Sequence, residues 1–201
     1  MVESHERPGR RRVTSATELE TAALELFFAE GFDATTVEDI ASACGIGRRT
    51  FFRYYPSKND VVWGQFAEGL ALMRAELAAT SERDSIAHSL TNAIVAFNFV
   101  PSEYVAQHRE RMNLILHVPT LQAHSTLRYA EWRTVIAEYV AVRIGVSSHA
   151  QIPQLVSHVV LAACITAYEQ WLQDDESMLD EVLRECLEQV FSGWSELNAE
   201  Q

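Results

Sequence analysis

The sequence predicts an all-α protein in two parts, three short helices within residues 1–60 and a larger helical body over 61–201. Three observations carry that expectation. Apolar residues recur at i, i+3 and i+4 along most of the chain, the spacing of a helix face turned to a core. Gly31, Gly45, Pro56, Pro101, Pro119 and Gly145 divide the periodic stretches, and helices tolerate such residues mainly at their ends. No run of alternating β-branched residues lies between turn dipeptides, so nothing reads as a strand.

The first dozen residues, with Pro8 and Gly9, form a charged arm that includes Arg10, Arg11 and Arg12. A helix follows from about Ser15 to Glu30, with Leu19, Ala22, Ala23, Leu26 and Phe27 on one stripe. Gly31 ends it and Phe32 folds back as a core residue. Thr36 opens the second helix, its hydroxyl placed to accept from unpaired first-turn N–H groups. Glu38 and Asp39 sit where the helix dipole favours acids. Val37, Ile40 and Ala41 give the buried face, and Gly45 suits the tight turn that ends it. The third helix runs roughly from Gly47 to Tyr55, with Arg48, Arg49 and Arg53 projecting away from Phe51. Pro56 stops it, and Ser57 with Asp60 reads as a capping box for the next helix.

From Lys58 to about Thr80 the apolar phase is continuous through Val61, Val62, Phe66, Leu70, Met73 and Leu77, which predicts one long helix. SERD (81–84) breaks it. Further helices read as Ser85–Phe99, Ser102–His117, Thr120–Gly145, Ser148–Asp174 and Ser177–Asn198. The last two are the most apolar. The final helix carries Val182, Leu183, Cys186, Leu187, Val190, Phe191 and Trp194 on one stripe. Such a pair buries its faces internally or against a second copy.

Two short helices joined by a tight turn, with the second one basic, form the pattern of a helix-turn-helix DNA reader. Arginine offers a planar fork that matches guanine in the major groove and also pairs with phosphate. Arg48, Arg49 and Arg53 are therefore candidate readers. Thr50, Tyr54 and Lys58 are candidate phosphate contacts, which fix register without reading sequence. Arg10, Arg11 and Arg12 are placed to enter a minor groove or track phosphates.

AALELFFAEGF (22–32), TTVEDIA (35–41) and GIGRRTFFRYYPSK (45–58) together resemble the DNA-binding domain of TetR-type one-component repressors. The resemblance implies that Thr36, Arg48, Arg49, Thr50, Phe52, Tyr54 and Lys58 stand where the family touches DNA. Two positions depart from the family pattern. Gly47 replaces a frequent capping serine or threonine, and Phe52 replaces a frequent tyrosine whose hydroxyl meets phosphate. A narrower likeness, over GIGRRTFFRYYPSKNDVVWG (45–64), is to the actinobacterial subgroup that includes regulators of the mycofactocin biosynthesis cluster. The family resemblance implies a homodimer paired through the last two helices. A charge introduced at Leu187 is then expected to break that dimer. The subgroup resemblance implies an acyl-CoA thioester as effector.

Charge and composition narrow the rest. The formal net charge is −12. Residues 1–60 hold eight basic and ten acidic groups, and the remainder eight and eighteen. The acidity thus belongs to the body, while the basic groups of the first part cluster in 7–12 and 48–58. Hydrophobic residues make up 48% of the chain, which is a globular composition. No apolar run reads as a membrane span, and no apolar leader segment follows the charged N-terminus, so the cytoplasm is the expected compartment. Cys44, Cys164 and Cys186 match no metal or redox spacing and read as buried thiols. No cofactor is expected. The lack of a phosphate loop, a metal spacing or a nucleophile elbow counts against an enzyme.

The middle helices carry Trp63, Phe66, Leu70, Met73, Phe97, Phe99, Met112, Leu116, Trp132, Tyr139 and Tyr168, which read either as ordinary core or as the lining of an apolar effector cavity. Arg109, Arg111, Arg128 and Arg133 lie nearby in sequence and would suit an anionic ligand. The leading reading is a ligand-responsive repressor that binds a palindromic operator as a dimer. The alternatives are an adaptor that binds DNA without an effector and, more remotely, an enzyme with a DNA-binding appendage.

Overall fold

A computed structural model of the chain describes residues 15–193. Arg10, Arg11, Arg12 and Trp194 lie outside them. Among the described residues there are helices and connections and no strand, and the chain divides into two units, 1–64 and 65–201.

The first unit begins with α1 (Ala16–Glu30). Ser15 caps it reciprocally: its hydroxyl accepts from Glu18 N–H at 3.1 Å, and Glu18 accepts from Ser15 N–H at 3.2 Å. α2 (Val37–Ala43) opens on the same device, with Asp39 N–H donating to Thr36 Oγ1 and Thr36 N–H to the Asp39 carboxylate. Gly45, at φ +65°, turns the chain so that Ile46 N–H reaches Ala41 O. α3 (Arg48–Tyr54) follows, then α4 (Lys58–Val61). Leu19, Leu24, Phe27, Ile40, Phe51, Val61 and Val62 form the core of this unit. Tyr55, also buried, ties the end of α3 back to the start of α1 by donating to Ala16 O at 3.2 Å.

Two expectations fail here. The long helix from Lys58 to Thr80 is interrupted: α4 stops at Val61, and α5 (Phe66–Ala78) starts after a turn. Gly64 makes that turn at φ +52°, where side chains with a Cβ are strained, and the Glu20 carboxylate occupies the space a Cβ would take. The first unit therefore extends to Gly64, past the expected boundary at 60/61. The Ser57 capping box is also absent. The Ser57 hydroxyl donates to Asp60 Oδ2 at 2.6 Å, and no side-chain oxygen caps α4.

The second unit comprises α5, α6 (Ile86–Phe97), a 3₁₀ turn (Ser102–Tyr104), α7 (Val105–His117), α8 (Pro119–Ile144), α9 (Gln151–Trp171) and α10 (Leu179–Ser192). Pro119, expected as a separator, is the first residue of α8, where its missing N–H costs nothing. α9 packs between α8 and α10. By length and composition α9 could cross a bilayer, contrary to the sequence expectation, yet here it contributes Val160, Ala163, Cys164, Ala167, Tyr168 and Trp171 to the unit's core.

The stripe on α10 serves the same core. Leu183 and Leu187 are buried, with Leu187 at 0% exposure, and Val182, Cys186, Val190 and Phe191 pack against it. This overturns the reading of Leu187 as a dimer contact, because the described subunit already consumes that side chain. Of the three thiols only Cys164 is buried; Cys44 and Cys186 are half-buried.

Candidate functional sites

α3 has 3.6 residues per turn, so its side chains sort into three outward strips around a buried one. Phe51 and Tyr55 form the buried strip. Arg49 and Arg53 lie opposite, aimed away from the core. Arg48 and Phe52 flank one side, and Thr50 and Tyr54 the other. This fixes which residues reach outward and ties their orientation to the burial of Phe51.

The three arginines differ in their commitments. Arg48 is ion-paired to Glu38 of α2, and its guanidinium stands 5.4 Å from the Phe52 ring centre. Arg53 donates to Tyr54 Oη at 3.2 Å and covers that ring. Arg49 is exposed and makes no hydrogen bond or ion pair among the described residues. The Arg48–Glu38 pair is solvent-facing, with side chains 63% and 54% exposed, so it orients more than it stabilises.

The other expected DNA contacts are more occupied. Thr36 Oγ1 donates to Asp39 Oδ2 at 2.6 Å, and that bond is the main reason the Asp39 carboxyl sits below its ordinary range. The Thr36 hydroxyl proton is thus already in use. Lys58 Nζ donates to Phe32 O at 2.6 Å and Thr35 O at 2.8 Å, and lies 4.2 Å from the Phe32 ring centre. Burial pushes its pKa down. Two of its three protons pin α4 to the α1–α2 connection, which leaves one for a ligand. Thr50 and Tyr54 are half-buried at the rim of the face.

In the second unit, Phe66, Leu70, Met73, Phe97, Met112, Leu116, Trp132 and Tyr168 all join one apolar cluster, as does Tyr139. Trp63 does not: it belongs to the first unit. Phe99 is 74% exposed and lines no core. Arg109 is spent on structure. It donates to Trp171 O and, at 2.9 Å, to Asp174 O, so it caps the C-terminal end of α9 where carbonyls lack partners. Its guanidinium also stacks 4.1 Å from the Trp171 ring centre. Arg128 pairs with Glu131 and faces the Phe66 ring.

A polar chain runs through this apolar cluster. Tyr168 donates to Asn98 Oδ1 at 2.8 Å, and Asn98 Nδ2 donates to Ile94 O at 2.8 Å. Tyr168 has a single proton, so His108 Nε2, 3.1 Å from its oxygen, must be the donor in that contact. His108 is therefore the neutral Nε2–H tautomer. Burial, reinforced by the charge of Arg111, pushes its pKa down to about 4. Its ring also packs 5.8 Å from that of Trp171. Burial pushes the Tyr168 hydroxyl up as well.

Sequence reasoning missed Glu38, Asn98 and His108 as members of these sites. His108 did carry a signal. It falls in phase with Val105, Met112 and Ile115, a polar residue on the apolar face of α7. Glu38 carried none, because its spacing along α2 does not record which side chain of α3 it will meet.

Comparison with known proteins agrees with this geometry. Residues 20–62 match the family model described as bacterial regulatory proteins, tetR family, and residues 84–195 match the one described as MftR C-terminal domain. A protein of Mycobacterium tuberculosis (strain ATCC 25618 / H37Rv), provisionally named the mycofactocin biosynthesis transcriptional regulator MftR, is 43% identical over 96% of this chain and 97% of its own. Among solved structures, SmeT, the repressor of the Stenotrophomonas maltophilia multidrug efflux pump SmeDEF, superposes with TM-score 0.62 at 17% identity, covering 90% of each chain. Thermus thermophilus FadR, a transcriptional repressor solved with lauroyl-CoA, gives 0.58 at 22% identity, covering 89% of this chain and 94% of its own. At these identities the two structures speak for the fold alone.

Proposed function

Because the chain belongs to the TetR family of bacterial transcriptional regulators, whose members bind DNA as dimers, respond to small molecules and are not enzymes, we propose that it is a repressor. It binds a near-palindromic operator as a homodimer in the cytoplasm and is released by a long-chain acyl-CoA. The observation that carries the DNA part is α3: Phe51 and Tyr55 are locked into the core, and Arg49 and Arg53 face directly away from it. Dimeric reading heads about 34 Å apart suit two half-sites one DNA turn apart. Ile152 and Leu155, exposed on α9, are available apolar contacts for a second copy.

The effector class rests on the resemblance of the sequence to the mycofactocin-type subgroup, with the solved FadR complex as an example of the fold holding such a ligand. A ligand shifts the equilibrium only by its differential affinity for the two states. One observation favours a second reading, an adaptor without effector: Leu70, Met73, Trp132 and Tyr168 are packed as core, each under 10% exposed.

Binding of the full-length protein to its own upstream intergenic DNA, with and without oleoyl-CoA, tests these readings together. Specific binding relieved by the thioester is expected. Binding that ignores it selects the adaptor. Arg49→Ala should weaken specific binding by roughly 1–3 kcal/mol per half-site if Arg49 reads a base; unchanged affinity removes it as a reader.

A further inference from the structure

Phe52 is an apolar side chain standing on the outward surface of α3, 42% exposed, beside two arginines in the helical phase. It makes an edge-on contact with the buried Phe51, ring centres 5.4 Å apart at 90°. On its other side stands the Arg48 guanidinium, itself held by Glu38. The ring thus packs edge-on against Phe51 with Arg48 beside it, and the rest of its surface faces outward.

A phenyl ring has no hydrogen-bonding group, so it cannot meet a phosphate as a tyrosine hydroxyl would. In the major groove the one apolar feature on a base edge is the 5-methyl group of thymine. Taking the chain as a DNA-binding regulator, we infer that Phe52 reads a thymine methyl in each operator half-site. Phe52 then sets a preference for one oriented A·T pair. Arg48 and Glu38 act as positioning residues for the ring, and Arg49 and Arg53 remain for guanine and phosphate.

The test uses full-length protein and an operator selected from randomised duplexes. Each thymine of a half-site is replaced, symmetrically in both halves, by deoxyuridine, which keeps every hydrogen-bonding group and removes only the methyl. One position should lose about fourfold in affinity per half-site, the worth of one buried methyl group. That loss should vanish in Phe52→Ala, whose fold is checked by circular dichroism, and persist in part in Phe52→Leu. The inference is overturned if no exchange weakens the wild-type complex. It is equally overturned if Phe52→Ala shows the same penalty as wild type. Failure of the wild-type protein to select any sequence would overturn the DNA-binding reading itself, an outcome distinct from sequence-specific binding that ignores the methyl.

Discussion

His108 holds no charge in the folded protein at neutral pH, and the reason is local. Its ring is desolvated, Arg111 is nearby, and its Nε2–H is committed to Tyr168. The folded value, about 4, lies below the ordinary 6.5, so the unfolded chain binds the proton more tightly. Stability is therefore fully present above pH 6.5 and drains as pH falls towards 4. Urea unfolding at pH 5 should show about 2 kcal/mol less stability than at pH 7 from this residue alone. His108→Gln, which keeps a donor but cannot titrate, should flatten that difference; an unchanged slope would assign the acid sensitivity elsewhere. The same residue-scale reasoning separates the arginines of α3. Arg48 and Arg49 look equivalent in the sequence, but Arg48 has Glu38 as a partner while Arg49 projects opposite the core.

At the scale of elements, the α4–α5 break shows how far periodicity can be read. Val61, Val62, Phe66 and Leu70 keep helical phase across the break, so the apolar pattern alone continues one helix through Gly64. The backbone turns there because Gly64 adopts φ +52° while Val61 and Val62 are buried in the first unit. Gly64→Ala should cost about 1–2 kcal/mol in denaturant midpoint terms, from the left-handed conformation. Part of any excess, from the Glu20 carboxylate 2.7 Å from the added Cβ, should be recovered in Glu20→Ala/Gly64→Ala. A neutral Gly64→Ala would mean that the chain straightens into the single helix the sequence suggested.

The whole molecule raises the question of what covers each apolar face. Leu187 is fully buried within its own subunit, whereas Leu155 is 59% exposed on α9. A charge at Leu187 should therefore abolish folding, because an unpaired charge in an apolar core costs several kcal/mol. Leu155→Glu should leave the melting temperature near wild type while reducing the mass in light scattering from dimer to monomer and weakening the operator complex. A folded, dimeric Leu155→Glu protein would move the interface off this part of α9.

The sequence by itself determined the helical class and the helix-turn-helix, down to the cap at Thr36 and the turn at Gly45. Those signals act between residues at most about four apart, so they are complete in the local sequence. It also located the apolar stripes, since amphipathic spacing reveals that a face is buried. Only the tertiary structure decided what buries it. The α10 stripe turns inward, Arg109 caps α9, Lys58 pins α4 to the α1–α2 connection, and Tyr168 of α9 meets both His108 of α7 and Asn98, just past the end of α6. Each of these contacts joins residues far apart in the chain, and spacing along one helix carries no record of the helix it will meet.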